Sequence, residues 1–285
     1  MLQKVGIVTD STADIPENLV QELGITVVPL KVIFDDQEVL RDGVDIKAEE
    51  FYPRLQKAKN LPRTSQPTPA EFAAAYEDLA AKYETIISIH ISSKMSGTIQ
   101  SARTGAQMVP GADIEVIDST YVSMGCGFIV LEAAKAAQAG KTKEEILFLV
   151  NDMISKMLVY FIPETLEYLE KGGRIGKAQA FAGTLLNIKP IVYITEGIIH
   201  PYEKVRGRKR AIDRLVQVVS EKVGREQVLC ALAHGMNPEG VEELRKKVVT
   251  QINVIEKPIV YVPGAIVGTH SGPGVLGLIC CPLPT

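Results

Sequence analysis

Four short segments carry side chains that can do chemistry: Thr64-Ser65-Gln66-Pro67, Ser96-Gly97-Thr98, Gly172-Gly173-Arg174 and the glycine-flanked His270. Ser96-Gly97-Thr98 follows an apolar run over 86–91 and precedes a helical pattern over 99–108. A strand that breaks into a small-residue turn and then a helix leaves backbone N–H groups unpaired where the helix dipole favours negative charge. That arrangement is a cradle for an anion. The segment lacks the flanking glycines of a nucleophile elbow and the spacing of a phosphate-binding loop, and the plain alternative for Ser96 is an ordinary helix N-cap.

The other candidates have plain alternatives too. Prolines surround Thr64-Ser65-Gln66, so the segment reads as a loop that cannot pair into a sheet. It either caps the helix expected from Glu71 or lends a hydroxyl to a neighbouring anion. His270 is the most informative of the four histidines, because glycines around it free the backbone to bend close to a ligand. His90 sits inside an apolar strand and reads as a packed core residue, while His200 and His234 fall at a hairpin strand and a strand end. Arg174 is expected to be exposed just past a helix stop, either in a salt bridge or as a docking residue for a phosphorylated ligand or partner. The basic run from Lys204 to Arg210 is a solvated surface or a steering patch for an anion.

Positioning these groups requires a scaffold, and the chain of 285 residues, 46% hydrophobic and 23% charged, is long enough for two domains. A net charge of -3 gives no general electrostatic footprint for nucleic acid. No apolar run approaches the roughly 18–20 residues that span a bilayer, and no N-terminal basic-then-apolar segment reads as a signal peptide. The four cysteines show neither metal-ligand nor disulfide spacing, so free thiols in a cytoplasmic setting are expected. Neither a metal site nor a dinucleotide fingerprint is read, and no cofactor is expected.

Strands are expected over 4–9, 25–34, 38–40, 86–91 and 114–117. Helices are expected over 16–22 (with Asp14 as its cap), 48–58, 71–82, 99–108, 124–139 and 143–157. The alternation argues for a parallel, helix-covered sheet, whose ligands lie beyond the carboxyl ends of the strands. Asp10-Ser11-Thr12 and Asp118-Ser119-Thr120 both end strands and are expected to share one polar rim. The second half mixes strands over 158–162, 188–195, 198–205, 228–233, 254–262 and 275–281 with helices over 163–171, 177–186, 211–223 and 238–249. A division near residue 160 separates an N-terminal α/β domain, 1–160, from a C-terminal one, 161–285.

The motifs, taken in order, resemble the bacterial DegV family, whose members include the fatty-acid-binding subunits of fatty acid kinase. The matching segments are Thr9-Asp10-Ser11-Thr12, Thr64 to Pro69, Ile91 to Thr98, Ile117-Asp118-Ser119, Thr165 to Ile175, Ile188-Lys189-Pro190-Ile191 and His270-Ser271-Gly272-Pro273-Gly274. The resemblance implies a two-domain DegV-like α/β fold, with a parallel sheet in the first domain and a mixed sheet in the second, enclosing a long-chain, palmitate-like fatty acid. It implies that Thr64 and Ser96 bind the carboxylate, that His270 lies at the same head group, and that Arg174 engages a partner fatty acid kinase. The chain would then bind rather than turn over its ligand, with no catalytic residue of its own.

An alternative is a substrate subunit like that of dihydroxyacetone kinase, in which His270 would bond covalently to a small carbonyl compound. A third reading, Ser96 with His270 as an esterase pair, lacks an identifiable acidic orienter.

Overall fold

The computed structural model describes residues 3–35, 37–183 and 187–282. The chain runs β1 (Gln3–Asp10), α1 (Glu17–Glu22), β2 (Thr26–Val28), β3 (Lys31–Phe34), β4 (Glu38–Arg41), α2 (Ala48–Lys57), β5 (Arg63–Ser65), α3 (Pro69–Ala80), β6 (Tyr83–His90), α4 (Thr98–Gln107) and β7 (Asp113–Asp118). It continues through α5 (Met124–Gln138), α6 (Lys143–Lys156), β8 (Leu158–Ile162), α7 (Glu167–Lys171), β9 (Ile188–Thr195), β10 (Ile198–Arg206) and α8 (Arg208–Val223). The last elements are β11 (Val228–His234), α9 (Pro238–Gln251), β12 (Ile259–Tyr261), α10 (Ala265–Ser271) and β13 (Leu276–Pro282).

Three sheets organise the described residues. The first is four-stranded and parallel, in the order β2-β1-β6-β7. The second is six-stranded and mixed, in the order β10-β9-β8-β13-β11-β12. Strands of the parallel sheet read as near-continuous apolar runs because both faces are covered. Val8 and Ile86 pack with Phe72 and Tyr76 of α3, and Val5, Ile7, Ile87 and Ile89 join the core that contains α5 and α6. That same core takes in Val159, Phe161, Ile194, Ala233 and Ile279 from one face of the mixed sheet. The opposite face of the mixed sheet packs on α8 and α9 through Ile212, Leu215, Val219 and Leu244. The expected division at residue 160 falls within β8, which pairs in the mixed sheet.

The third sheet, β4-β3-β5, joins the strand expected over 38–40 and the second half of the one expected over 25–34, which splits into β2 and β3, to a segment expected as a loop. Arg63–Ser65 pairs antiparallel with β3, placing Thr64 opposite Val32, so this segment is a strand rather than an unpaired loop. Pro62 and Pro67 flank it without removing its own N–H groups, and an edge position tolerates such neighbours. Three further expectations are corrected. Asp14 does not cap α1, whose N-cap is Pro16; its φ of 52° turns it elsewhere. The strand expected over 254–262 shrinks to Ile259–Tyr261. In place of the helix over 177–186 there is a short 3-10 turn at Gly176–Phe181, and residues 184–186 of that expectation lie outside the described residues.

The two Asp-Ser-Thr strand ends grip the segment between them. Asp10 Oδ2 accepts from Ile91 N at 3.1 Å and pairs with His90 Nδ1 at 2.9 Å. On the other side Asp118 accepts from Ser93 N, and Ser119 N donates to His90 O at 3.0 Å. His90 Nε2 reaches Ser88 Oγ at 2.6 Å, and Ser88 reaches Tyr76 at 2.8 Å. Asp10, His90 and Ser88 thus form a Ser-His-Asp chain, but all three are buried and no substrate reaches them. Their task is to hold the end of β6. Removing one member strands the others in the core, so His90→Ala is expected to cost about 2–4 kcal/mol in urea unfolding. A variant as stable as the parent would contradict this assignment.

Candidate functional site

The residues singled out by sequence converge on one cavity of about 500 Å³, within the roughly 300–1,000 Å³ range of small-ligand pockets. Its apolar wall is the inner face of the mixed sheet, with Val159, Phe161, Ile194, Ala233 and Ile279, closed by Ile91, Val122 and Ile266. Thr64, Ser96, Arg174 and His270 all line it, together with Gln66, Ser101 and Ser271. The cavity therefore lies between the carboxyl ends of the parallel strands and the second sheet, where open α/β sheets place their ligands.

Each polar side chain is set by its own element. Thr64 rides on β5, and its Oγ1 lies 3.0 Å from His270 Nε2. His270 does not sit in a free glycine loop. It occupies the last turn of α10, and the glycines flank a helix end, with Gly272 in the left-handed region at φ 75° against the Tyr168 ring. Ser96 precedes α4, whose N-cap is Gly97, with no side-chain cap. Ser96 Oγ instead pairs with Thr98 Oγ1 at 2.8 Å and takes a long contact from Thr98 N at 3.3 Å, which leaves it capacity for a further partner. Gln66 packs on Gly97, where a Cβ would collide with its amide, and donates to Ser101 Oγ at 3.1 Å.

Arg174 is half-buried, not exposed. Its Nη1 donates to Gly172 O at 2.7 Å and its Nε to Met95 O at 3.1 Å, beside Ser96. Among the described residues no carboxylate pairs with it, so the salt-bridge alternative gives way to a cation held at the polar end of a cavity. Burial, and then the Arg174 charge, push the His270 ring down to about 4, so it is neutral at ordinary pH. Lys204, the first cation of the basic run, covers the Phe181 ring at 5.0 Å, and Arg208 approaches Glu164 at 3.8 Å.

Sequence reasoning missed the anchor of α10. Asp14 Oδ1 accepts from Gly264 N at 2.8 Å, and Asp42 Oδ1 accepts from Ala265 N at 2.8 Å. Ser123 Oγ, 2.6 Å from Tyr261 OH, donates to the other oxygen of Asp14. Two carboxyls from the first half thereby hold the start of the helix that carries His270. The partners lie 250 and 223 residues away, and no local signal announces them. Burial pushes Asp14 up to about 8 and Asp42 to about 6. An acid whose pKa is higher folded than unfolded binds more protons in the native state, so stability falls as pH rises toward the folded value. The urea midpoint is expected to fall between about pH 6 and pH 8, and Asp14→Asn should flatten that fall. An equal slope in the variant would contradict the assignment.

The cavity combines apolar walls with a linked set of polar groups, Thr64 beside His270 and Arg174 beside Gly172 and Met95, which defines an α/β protein with an apolar pocket carrying a polar cluster. A profile of the DegV family, described as uncharacterised protein, matches residues 4–283. A DegV domain-containing protein of Caldanaerobacter subterraneus subsp. tengcongensis is 38% identical over 278 residues, covering 97% of this chain and 98% of that protein. Among solved structures, a DegV family protein from Thermus thermophilus, described by its fatty acid binding, superposes with a TM-score of 0.93 at 35% identity, covering 98% of this chain and 100% of that one. DegV of Bacillus subtilis, described as a fatty acid binding protein, superposes with a TM-score of 0.89 at 34% identity, covering 98% and 99%. The chain belongs to the DegV family.

Proposed function

We propose that the chain binds a long-chain, palmitate-like fatty acid in this cavity and presents its carboxylate to a partner fatty acid kinase. The carrying observation is the cavity itself: one apolar chamber whose polar groups, Thr64, Ser96, Arg174 and His270, line the same space. A carboxylate withdrawn from water loses several kcal/mol unless its hydrogen bonds are replaced. The hydroxyls of Thr64 and Ser96, with the amino end of α4, supply donors, and Arg174 supplies compensating charge. Each methylene of the tail adds about 0.8 kcal/mol on burial, so the tail provides most of the affinity and the head group the orientation. The kinase step would join a carboxylate oxygen to the terminal phosphoryl of ATP, releasing ADP and forming an acyl phosphate. In this reading Arg174 also contributes to engagement of the kinase, the two α/β domains divide near residue 160, and the protein works in the cytoplasm without a cofactor.

The covalent alternative, His270 attacking a small carbonyl compound, is disfavoured by crowding at both ring nitrogens. Nε2 is engaged by Thr64, and Nδ1 faces Gly172. Delipidated protein titrated with labelled palmitate is expected to bind it, and Thr64→Ala/Ser96→Ala is expected to weaken binding at least about tenfold, given roughly 1.5–3 kcal/mol for each hydrogen bond to a charged group. Equal affinity in the double variant would remove the head-group assignment. Loaded protein mixed with a fatty acid kinase and ATP should give an acyl phosphate that hydroxylamine traps as the hydroxamate. No hydroxamate would remove the kinase role and leave the binding role standing.

A further inference from the structure

We infer that Gly172 is a positioning residue that locks His270 as the tautomer protonated on Nε2, so that the Thr64 hydroxyl is left free to donate to an anion. The inference rests on the fatty-acid reading of the site and names what makes it selective for a carboxylate.

A neutral imidazole carries one N–H, and the structure offers its two nitrogens unequal surroundings. Nε2 lies 3.0 Å from Thr64 Oγ1. Nδ1 is buried and has no hydrogen-bond partner among the described residues. What it meets instead is the α-carbon of Gly172: a Cβ added there would run into Nδ1 and lie 2.9 Å from Cε1. The Gly172 hydrogen that a side chain would replace therefore points at Nδ1. A lone pair facing that C–H makes a weak favourable contact, whereas an N–H in the same place is a buried donor with nothing among the described residues to receive it. The proton belongs on Nε2. Depression of the ring's pKa to about 4 by burial and Arg174 agrees with a single N–H at neutral pH.

The consequence falls on Thr64. An Nε2–H group donates to Thr64 Oγ1, which satisfies the oxygen and leaves its own O–H without a claim on it. That proton is the one available to a carboxylate. With the other tautomer the roles reverse: Thr64 would spend its proton on Nε2 and turn only lone pairs toward the ligand, which repels an anion. Gly172 itself is held by Arg174, whose Nη1 donates to the Gly172 carbonyl at 2.7 Å. The two glycines and the arginine of the Gly-Gly-Arg segment thus act together. Gly173, at φ 71°, turns the chain after α7, Arg174 clamps it, and Gly172 presents a bare face to the ring.

Long-range 1H–15N correlation spectra of histidine-labelled protein test the tautomer directly, with the His270 signals assigned by their loss in His270→Gln. The expected pattern is a protonated Nε2 and an unprotonated Nδ1, with or without palmitate; a protonated Nδ1 overturns the inference. Palmitate titrations test the consequence. His270→Gln carries an amide N–H near the position of Nε2, and His270→Ala offers Thr64 no acceptor, so in both the Thr64 hydroxyl stays free to donate and palmitate should bind within about threefold of the parent, whereas Thr64→Val should bind about tenfold more weakly, the loss of one charge-assisted donor. Gly172→Ala, whose Cβ must displace the ring, should weaken binding, and Gly172→Ala/His270→Ala should regain the affinity of His270→Ala, because the glycine acts mainly through the ring. A His270→Ala about tenfold weaker than the parent, or a double variant as weak as Gly172→Ala, would overturn it. If the parent itself binds no fatty acid, the fatty-acid reading fails while the spectrum still decides the tautomer.

Discussion

Holding an anion at the end of an apolar chamber is the constraint on which the proposed site depends. A bare carboxylate does not leave water for such a place unless donors are already in position, because unreplaced hydrogen bonds cost several kcal/mol. The donors must also be spoken for on their other sides, or each becomes a buried polar group with its own penalty. The structure meets the second requirement through local pairings. Thr64 leans on His270, Ser96 on Thr98, and Arg174 on the carbonyls of Gly172 and Met95.

Those pairings draw on elements far apart in the chain, and the fold's layers exist to register them. The buried Asp10-His90-Ser88 chain fixes the end of β6, from which the Ser96 turn departs. Asp14 and Asp42 fix the start of α10, from which His270 is delivered. α5 packs between the two large sheets, with α6 against α5 and β13, while the inner face of the mixed sheet supplies the apolar wall. The wall is continuous with the hydrophobic core. The cavity is thus part of the packing between sheets.

Local patterns were legible in the sequence and distant ones were not. The parallel sheet could be read because β1 and β6 are short, near-continuous apolar runs whose ends are punctuated by Asp, Ser and Gly, with helical stretches between them. The capping box of Thr68 and Glu71 marks α3 just as plainly. β5 was hidden because it is three residues between prolines, and only its pairing with β3 makes it a strand. α10 was hidden because its glycines imitate a loop, while its start is stabilised by carboxyls more than 200 residues away. Thr64, Ser96, Arg174 and His270 could be picked out by type and motif. That they share one cavity follows from tertiary packing that no spacing encodes.

The most direct test of the account is the identity of whatever occupies the cavity after purification from a bacterial host. Native mass spectrometry should show the protein carrying one extra molecule, which organic extraction releases as a long-chain carboxylic acid. A chain that emerges empty and stays empty when incubated with such acids, or that carries a ligand without a carboxyl group, would contradict the account.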